Sequence, residues 1–139
     1  MCNKNMLVAC AIIEHDGKIL AVQRSERMNL PLKWEFPGGK IKEGESPEQC
    51  VVREVSEELN LQIEVEQSLP SIDYDYPDFT VTLYPFICAK VAGEITLREH
   101  KAMMWLSANE LWSLDWLVAD LPILSAYRDR LNRHSSRGL

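Results

Sequence analysis

Glu54, Glu57 and Glu58 stand at spacings of i, i+3 and i+4. On a helix these spacings place all three carboxylates on one face. Like charges so arranged repel by roughly 0.2–0.5 kcal/mol per pair. A helix does not need that arrangement, but a hard divalent cation does. Mg2+ takes oxygen ligands in an octahedron: a few carboxylates, with waters and substrate phosphates completing the shell. Arg53, four residues before Glu57, offsets part of the repulsion, and Glu45 brings a fourth carboxylate to the same end. Taken alone, such a run also describes an ordinary solvated helix surface. The loop in front shifts the reading, because Gly38-Gly39 lets a backbone carbonyl or amide approach an ion or a phosphate closely.

The elements that must hold these groups follow from local signals. Ser46 is a good N-cap, Pro47 suits the first helical position and Gln49 the third, so a helix opens there. Val52, Val55 and Leu59 form its expected apolar stripe, and Asn60 ends it in left-handed conformation. Ahead of it, Leu7 to Ile13 reads as a buried strand, His15-Asp16-Gly17-Lys18 as a turn, and Lys18 to Gln23 as the returning strand. Arg24 to Lys33 reads as a loop and Ile41-Lys42 as a short strand. After the helix come a short strand at Ile63 to Val65 and a loop rich in Asp and Tyr from Ser71 to Phe79. A long β-run from Thr80 to Val91 follows, where Pro85 suggests a bulge or an edge position. Ala102 to Leu106 is a strand, and Ser107-Ala108-Asn109-Glu110 is a second capping box opening a short helix. Asp120-Leu121-Pro122 begins a third helix to about Arg133, burying Ile123, Leu124, Tyr127 and Leu131, with a frayed tail from His134 to Leu139. The expected architecture is α/β: one mixed β-sheet flanked by helices, in a single domain over 1–139.

Composition narrows the class. Hydrophobic residues at 46% and charged residues at 26% exclude a disordered or collagen-like chain. No apolar run approaches the roughly 18 residues that cross a bilayer, so no membrane partner is expected. Leu7 to Ile13 ends at Glu14 without a small-residue cleavage site and reads as core, not as a signal peptide. Fifteen Lys and Arg against twenty-one Asp and Glu give a net charge of −6. A binder of nucleic-acid polymer should be basic, so a phosphate ligand here needs a cation between it and the chain. Cys2, Cys10, Cys50 and Cys88 form no C-x-x-C pair and read as reduced, mostly buried thiols of a cytoplasmic protein. His15, His100 and His134 lie far apart beside charged or polar residues and read as surface positions.

Gly39, Glu45 and the run Arg53-Glu54-Val55-Ser56-Glu57-Glu58-Leu59-Asn60-Leu61 resemble the Nudix box of the Nudix hydrolase family. The family usually has Gly where Asn60 stands, and Asn also reaches left-handed conformation. Trp34 to Lys40, Glu99 to Trp105 and Leu117 to Pro122 are similar to segments of its MutT-type and CTP pyrophosphohydrolase branch. The resemblance covers residues from about 7 to 130 and implies an α/β/α sandwich. It implies hydrolysis of a nucleoside triphosphate to the monophosphate and pyrophosphate, with Mg2+ as cofactor and Mn2+ as a possible substitute. By this resemblance Glu54, Glu57, Glu58 and Glu99 hold metal with the Gly38 carbonyl. Arg53 orients the glutamates, and Glu99 acts as ligand or general base. Arg24 contacts phosphate, and Glu35 either assists the metal site or is structural.

For the base, Asp120 matches the branch's polar position, and it would equally cap the following helix. Tyr76 and Phe79 are stacking candidates, with core packing as the alternative. MutT-type sanitising enzymes tend to have Arg where Phe79 stands. The expected order is therefore pyrimidine substrates such as CTP, dCTP or modified dCTP first, and the oxidised purine 8-oxo-dGTP second. The rival from another class is a non-catalytic nucleotide-sensing or protein-binding module, which usually loses box glutamates that this chain keeps. The expected partner is a small nucleotide, and the chain is read as a monomer or homodimer.

Overall fold

The period-two alternation along the first strand organises the molecule. In the computed structural model, which describes the backbone of residues 4–137 and the side chains of 5–133, β1 runs Lys4–His15. Ala9, Ala11 and Ile13 face one side, and Cys10 and Ile12 face the other. All five are almost completely buried, so both faces of the sheet are covered. The strand turns at Asp16-Gly17, both at positive φ, into β2 (Lys18–Gln23). On its other side β1 pairs in parallel with β7 (Phe79–Ala92), from Lys4 opposite Phe79 to Glu14 opposite Ala89.

The remaining strands build out from this pair. β3 (Trp34–Glu35) and β8 (Ala102–Leu106) pair with β2, and β4 (Gly38–Lys40) pairs with β1. β5 (Gln62–Ser68) and β6 (Ile72–Asp75) pair with β7. The result is an eight-stranded mixed sheet. α1 (Pro47–Leu59) packs Cys50, Val51, Val55 and Leu59 on one face. α2 (Leu121–Arg137) packs Ile123, Leu124 and Tyr127 on the other. This is the expected α/β/α sandwich. No described helix is long and apolar enough to cross a membrane.

Several local expectations need correction. The stripe of α1 is centred on Val51, Val55 and Leu59, spaced by four, which turns Val52 about 100° away and leaves it exposed. Gly38–Lys40, not Ile41-Lys42, forms the short strand, because Gly38 lies flush on β1: a Cβ there would meet the Ala9 carbonyl oxygen at 2.0 Å. The expected Asp- and Tyr-rich loop contains β6, whose Ile72 and Tyr74 turn inward in alternation. Pro85 is neither at an edge nor in a bulge. It lies in the interior strand β7, between the β6 pairing that ends at Leu83 and the β5 pairing that begins at Phe86. There a missing N–H interrupts no ladder bond to either partner. The second capping box opens a 3-10 helix, Ala108–Ser113, with the Glu110 carboxylate accepting from the Ser107 N–H at 2.9 Å. Trp116 is core, while Trp112 is exposed under the Arg128 guanidinium. α2 runs beyond Arg133 to Arg137; Cys2, Gly138 and Leu139 lie outside the described residues.

The ends of α1 follow the sequence reading. Ser46 Oγ accepts from the Gln49 N–H at 3.1 Å, and Gln49 Oε1 accepts from the Ser46 N–H at 2.9 Å. Asn60 closes the helix at φ 58°, its N–H donating to the Ser56 carbonyl. Because most side chains pay roughly 1–2 kcal/mol in that conformation, Asn60→Ala should lower stability by about 1 kcal/mol while Asn60→Gly stays near wild type. Urea unfolding midpoints of the three proteins check this.

Candidate active site

Arg53 gathers the acidic face. Its Nε and Nη2 donate to both oxygens of Glu45, at 2.7 and 3.0 Å. Its Nη1 donates to Glu54 at 2.9 Å and to Glu57 at 2.6 Å. The guanidinium holds the Glu45 carboxyl down at about 2, and the three carboxylates raise the proton affinity of Arg53 in return. Glu54 lies directly over Gly39, where a Cβ would come within 2.4 Å of its carboxyl carbon. The paired glycines therefore admit both β1 and Glu54 to the same backbone.

Glu58 is different in kind. One of its oxygens, Oε1, is buried with no hydrogen-bond partner. Its carboxyl is pushed up to about 8, first by burial, then by the charges of Glu54, Glu35 and Glu99, with the Gly38 N–H opposing. An orphaned buried oxygen among four acids is what a hard cation would satisfy. The donor set thus fits Mg2+. Among the described residues, however, no three acidic, imidazole or thiol groups converge into a ready-made cage. Glu54 and Glu57 point instead to Arg53.

Glu58 opens onto a cleft of about 670 Å3, within the usual range of small-ligand sites. Gly38, Gly39, Arg24, Glu99, Tyr76, Phe79 and Asp120 line it as well. Tyr76 and Phe79 stack on each other at 4.8 Å across the β6–β7 turn, where the Tyr76 N–H donates to the Phe79 carbonyl. They are both wall and core packing. Asp120 is buried, and its Oδ2 accepts from the Phe36 N–H at 2.9 Å. That bond crosses the fold, so Asp120 anchors β3's neighbour and does not serve the first turn of α2. Burial, then Glu35, raises its carboxyl to about 8 against the opposing Phe36 N–H and Arg24.

The structure thus brings Arg24, Gly38, Glu58, Tyr76, Phe79, Glu99 and Asp120 to one cleft, with Arg53, Glu54 and Glu57 on the helix face beside it. It also corrects one expectation. His100 is no surface residue: its side chain is 2% exposed and its Nε2 lies 2.9 Å from Glu35 Oε2. Glu35 Oε1 accepts from Arg24 Nη1 at 3.0 Å. Met28 and Leu30, which the sequence did not single out, also line the cleft, as does the buried thiol Cys10. Leu30 stands at φ 50°, and the loop is pinned where Arg24 Nε donates to the Asn29 carbonyl at 2.7 Å. The described thiols are all buried; burial raises Cys10 well above its ordinary value, Cys50 to about 11 and Cys88 to about 12.

Comparison with known proteins gives the family and the fold. The NUDIX domain family matches residues 4–127. The chain is 35% identical over 124 residues to the CTP pyrophosphohydrolase of Escherichia coli strain K12, covering 89% of this chain and 92% of that one. It is 32% identical over 123 residues to the 8-oxo-dGTP diphosphatase of the same organism, covering 88% and 95%. Further relatives carry that diphosphatase name. Among solved structures, the DNA mismatch repair protein MutT of methicillin resistant Staphylococcus aureus 252 is 39% identical with a TM-score of 0.75, covering 93% of this chain and 99% of that one.

The Glu45–Arg53 pair makes a test in acid. Its folded carboxyl value of about 2 lies below the ordinary 4.5. Its contribution is therefore complete above about pH 4.5 and is lost as pH falls toward about 2. Arg53→Met should be less stable than wild type at neutral pH, and the gap between the two urea midpoints should close through that acid window. A gap independent of pH would refute the assignment.

Proposed function

The chain belongs to the Nudix hydrolase family, and from that premise we propose that it cleaves the α–β anhydride of 8-oxo-dGTP to release pyrophosphate. CTP or dCTP is the second reading. The family membership carries nucleoside triphosphate pyrophosphohydrolase activity in general. The order of bases reverses the expectation from sequence, because the 8-oxo-dGTP diphosphatase name recurs among the relatives. The 35% identity to a CTP pyrophosphohydrolase, together with Phe79, keeps the pyrimidine in play.

The observation that carries the reaction class is the unpartnered Glu58 oxygen in a cleft floored by Gly38 and Gly39. Glu54, Glu57, Glu58 and Glu99 would hold Mg2+ with the Gly38 carbonyl. When bound, the ion supplies neutralisation of the triphosphate oxygens and acidification of a water for in-line attack on phosphorus. The chain's own groups do the rest. Arg53 keeps Glu54 and Glu57 on one side of α1 until the ligand competes for them. Arg24 offers its remaining guanidinium N–H groups to phosphate. Glu99 or one of the box glutamates takes the proton from water as general base. Tyr76 and Phe79 offer an aromatic wall to the base.

Asp120 suits either base. With its carboxyl at about 8 it is largely neutral at pH 7 and donates one hydrogen bond; once ionised it only accepts. An oxidised guanine and a cytosine each present both partners.

The primary test is a panel of nucleoside triphosphates including 8-oxo-dGTP, CTP and dCTP. Pyrophosphate is expected and orthophosphate would contradict the reading; chelation should abolish turnover and added Mg2+ restore it. Glu57 is 55% exposed, so Glu57→Gln should leave the fold intact yet lower kcat on the order of a hundredfold or more. Undiminished turnover would remove it from the site.

Asp120→Asn keeps an acceptor for the Phe36 N–H. It should change the ratio of kcat/KM for 8-oxo-dGTP and CTP by at least about tenfold. Equal loss on both would leave Asp120 as an anchor for Phe36 alone.

A further inference from the structure

Glu35 sits at the centre of the cleft's acids. Its charge raises the proton affinity of Glu58 on α1 and of Asp120 ahead of α2. A carboxylate in that company has no reason to face a particular partner unless something fixes it. Both of its oxygens are fixed, from two different segments. Oε1 accepts from Arg24 Nη1 at 3.0 Å, and Oε2 faces His100 Nε2 at 2.9 Å. The Glu35 and Arg24 side chains are only 16% and 20% exposed.

His100 has no packing reason to be a histidine. It is buried, and its Nδ1 has no partner among the described residues. An apolar side chain of the same volume would avoid that cost. A carboxylate only accepts, so the imidazole donates from Nε2, and the unpartnered Nδ1 suits a bare lone pair better than an N–H. His100 therefore orients Glu35 from one side while Arg24 holds it from the other. The backbones are locked to each other as well: the Lys101 N–H donates to the Gln23 carbonyl at 2.9 Å, directly before Arg24.

We propose that His100 is a positioning residue that aims the Arg24 guanidinium at the triphosphate by holding Glu35 between them. The inference rests on the triphosphate reading above and deepens it by assigning His100 and Glu35 a shared task in substrate binding. Freed from His100, Glu35 can turn away from the other acids toward bulk solvent, and Arg24 loses the anchor that keeps it in the cleft.

The experiment uses the full chain with Mg2+ and either 8-oxo-dGTP or CTP, whichever the wild type hydrolyses. His100→Leu should raise KM by about tenfold, the worth of one hydrogen bond to a charged group, with kcat within about threefold of wild type. His100→Gln, which returns an N–H near the Nε2 position, should recover most of that loss. In an Arg24→Ala background, His100→Leu should have no further effect on KM, because the group it acts through is gone. Thermal melts of all variants separate binding from folding. Equal losses in the Leu and Gln variants overturn the proposal, as does a His100→Leu effect that persists undiminished without Arg24. A wild-type protein that hydrolyses neither nucleotide, nor any other triphosphate, overturns the function reading itself and this proposal with it.

Discussion

Repulsion among carboxylates is the constraint around which the site is arranged. Glu45, Glu54 and Glu57 would separate if left to themselves, and Arg53 holds all three through one guanidinium. Glu58 is left out of that arrangement. It is half-buried, its buried Oε1 has no partner, and it is raised toward protonation first by desolvation and then by the acids around it. The acidic face is thus partly neutralised where Arg53 reaches it and left frustrated at Glu58 on the cleft side. Such frustration costs stability unless a ligand resolves it.

The sheet converts this local arrangement into a site. β1 is flanked by β7 on one side and by β2 and β4 on the other. Both of its faces are covered, so its backbone is held from both edges and both faces. Gly38 lies against that backbone, and Gly39 lies under Glu54. The helix, the glycines and the first strand therefore meet with no room for a single extra carbon. Phe36, immediately upstream, delivers its N–H to Asp120 and ties the start of α2 to the same segment. The acidic face of α1 and Asp120 share one short stretch of chain, 34–40, as their common reference.

What was legible in the sequence was what is decided locally. The capping box at Ser46, the Asn60 terminus, the Asp16-Gly17 turn and the acidic face depend on residues within a turn or two, and the fold class followed from their order. Misreadings came where a distant partner decides. Whether Val52 or Val51 faces inward depends on which side of α1 meets the sheet. β6 looks like a polar loop until β7 supplies its partner, and Pro85 looks like an edge residue until β5 and β6 divide β7 between them. His100, with charged neighbours, gave no sign of being buried; its place is set by Glu35, 65 positions away. Spacing drew attention to the box glutamates, and resemblance alone to Arg24 and Asp120; the structure places Arg24, Glu58 and Asp120 along one cleft. The lining by Met28, Leu30 and Cys10 had no comparable signal.

The buried thiols bear on the chemical durability of the protein. With Cys50 at about 11 and Cys88 at about 12, the nucleophilic thiolate at pH 7 is at most about one part in ten thousand. Peroxides and electrophiles attack that form, and the apolar surroundings that suppress it also keep reagents away. Even Cys10, which lines the cleft, is held protonated, first of all by burial. A catalyst whose proposed guest is itself a product of oxidative damage would thus meet the same oxidants with its described thiols in their least vulnerable state.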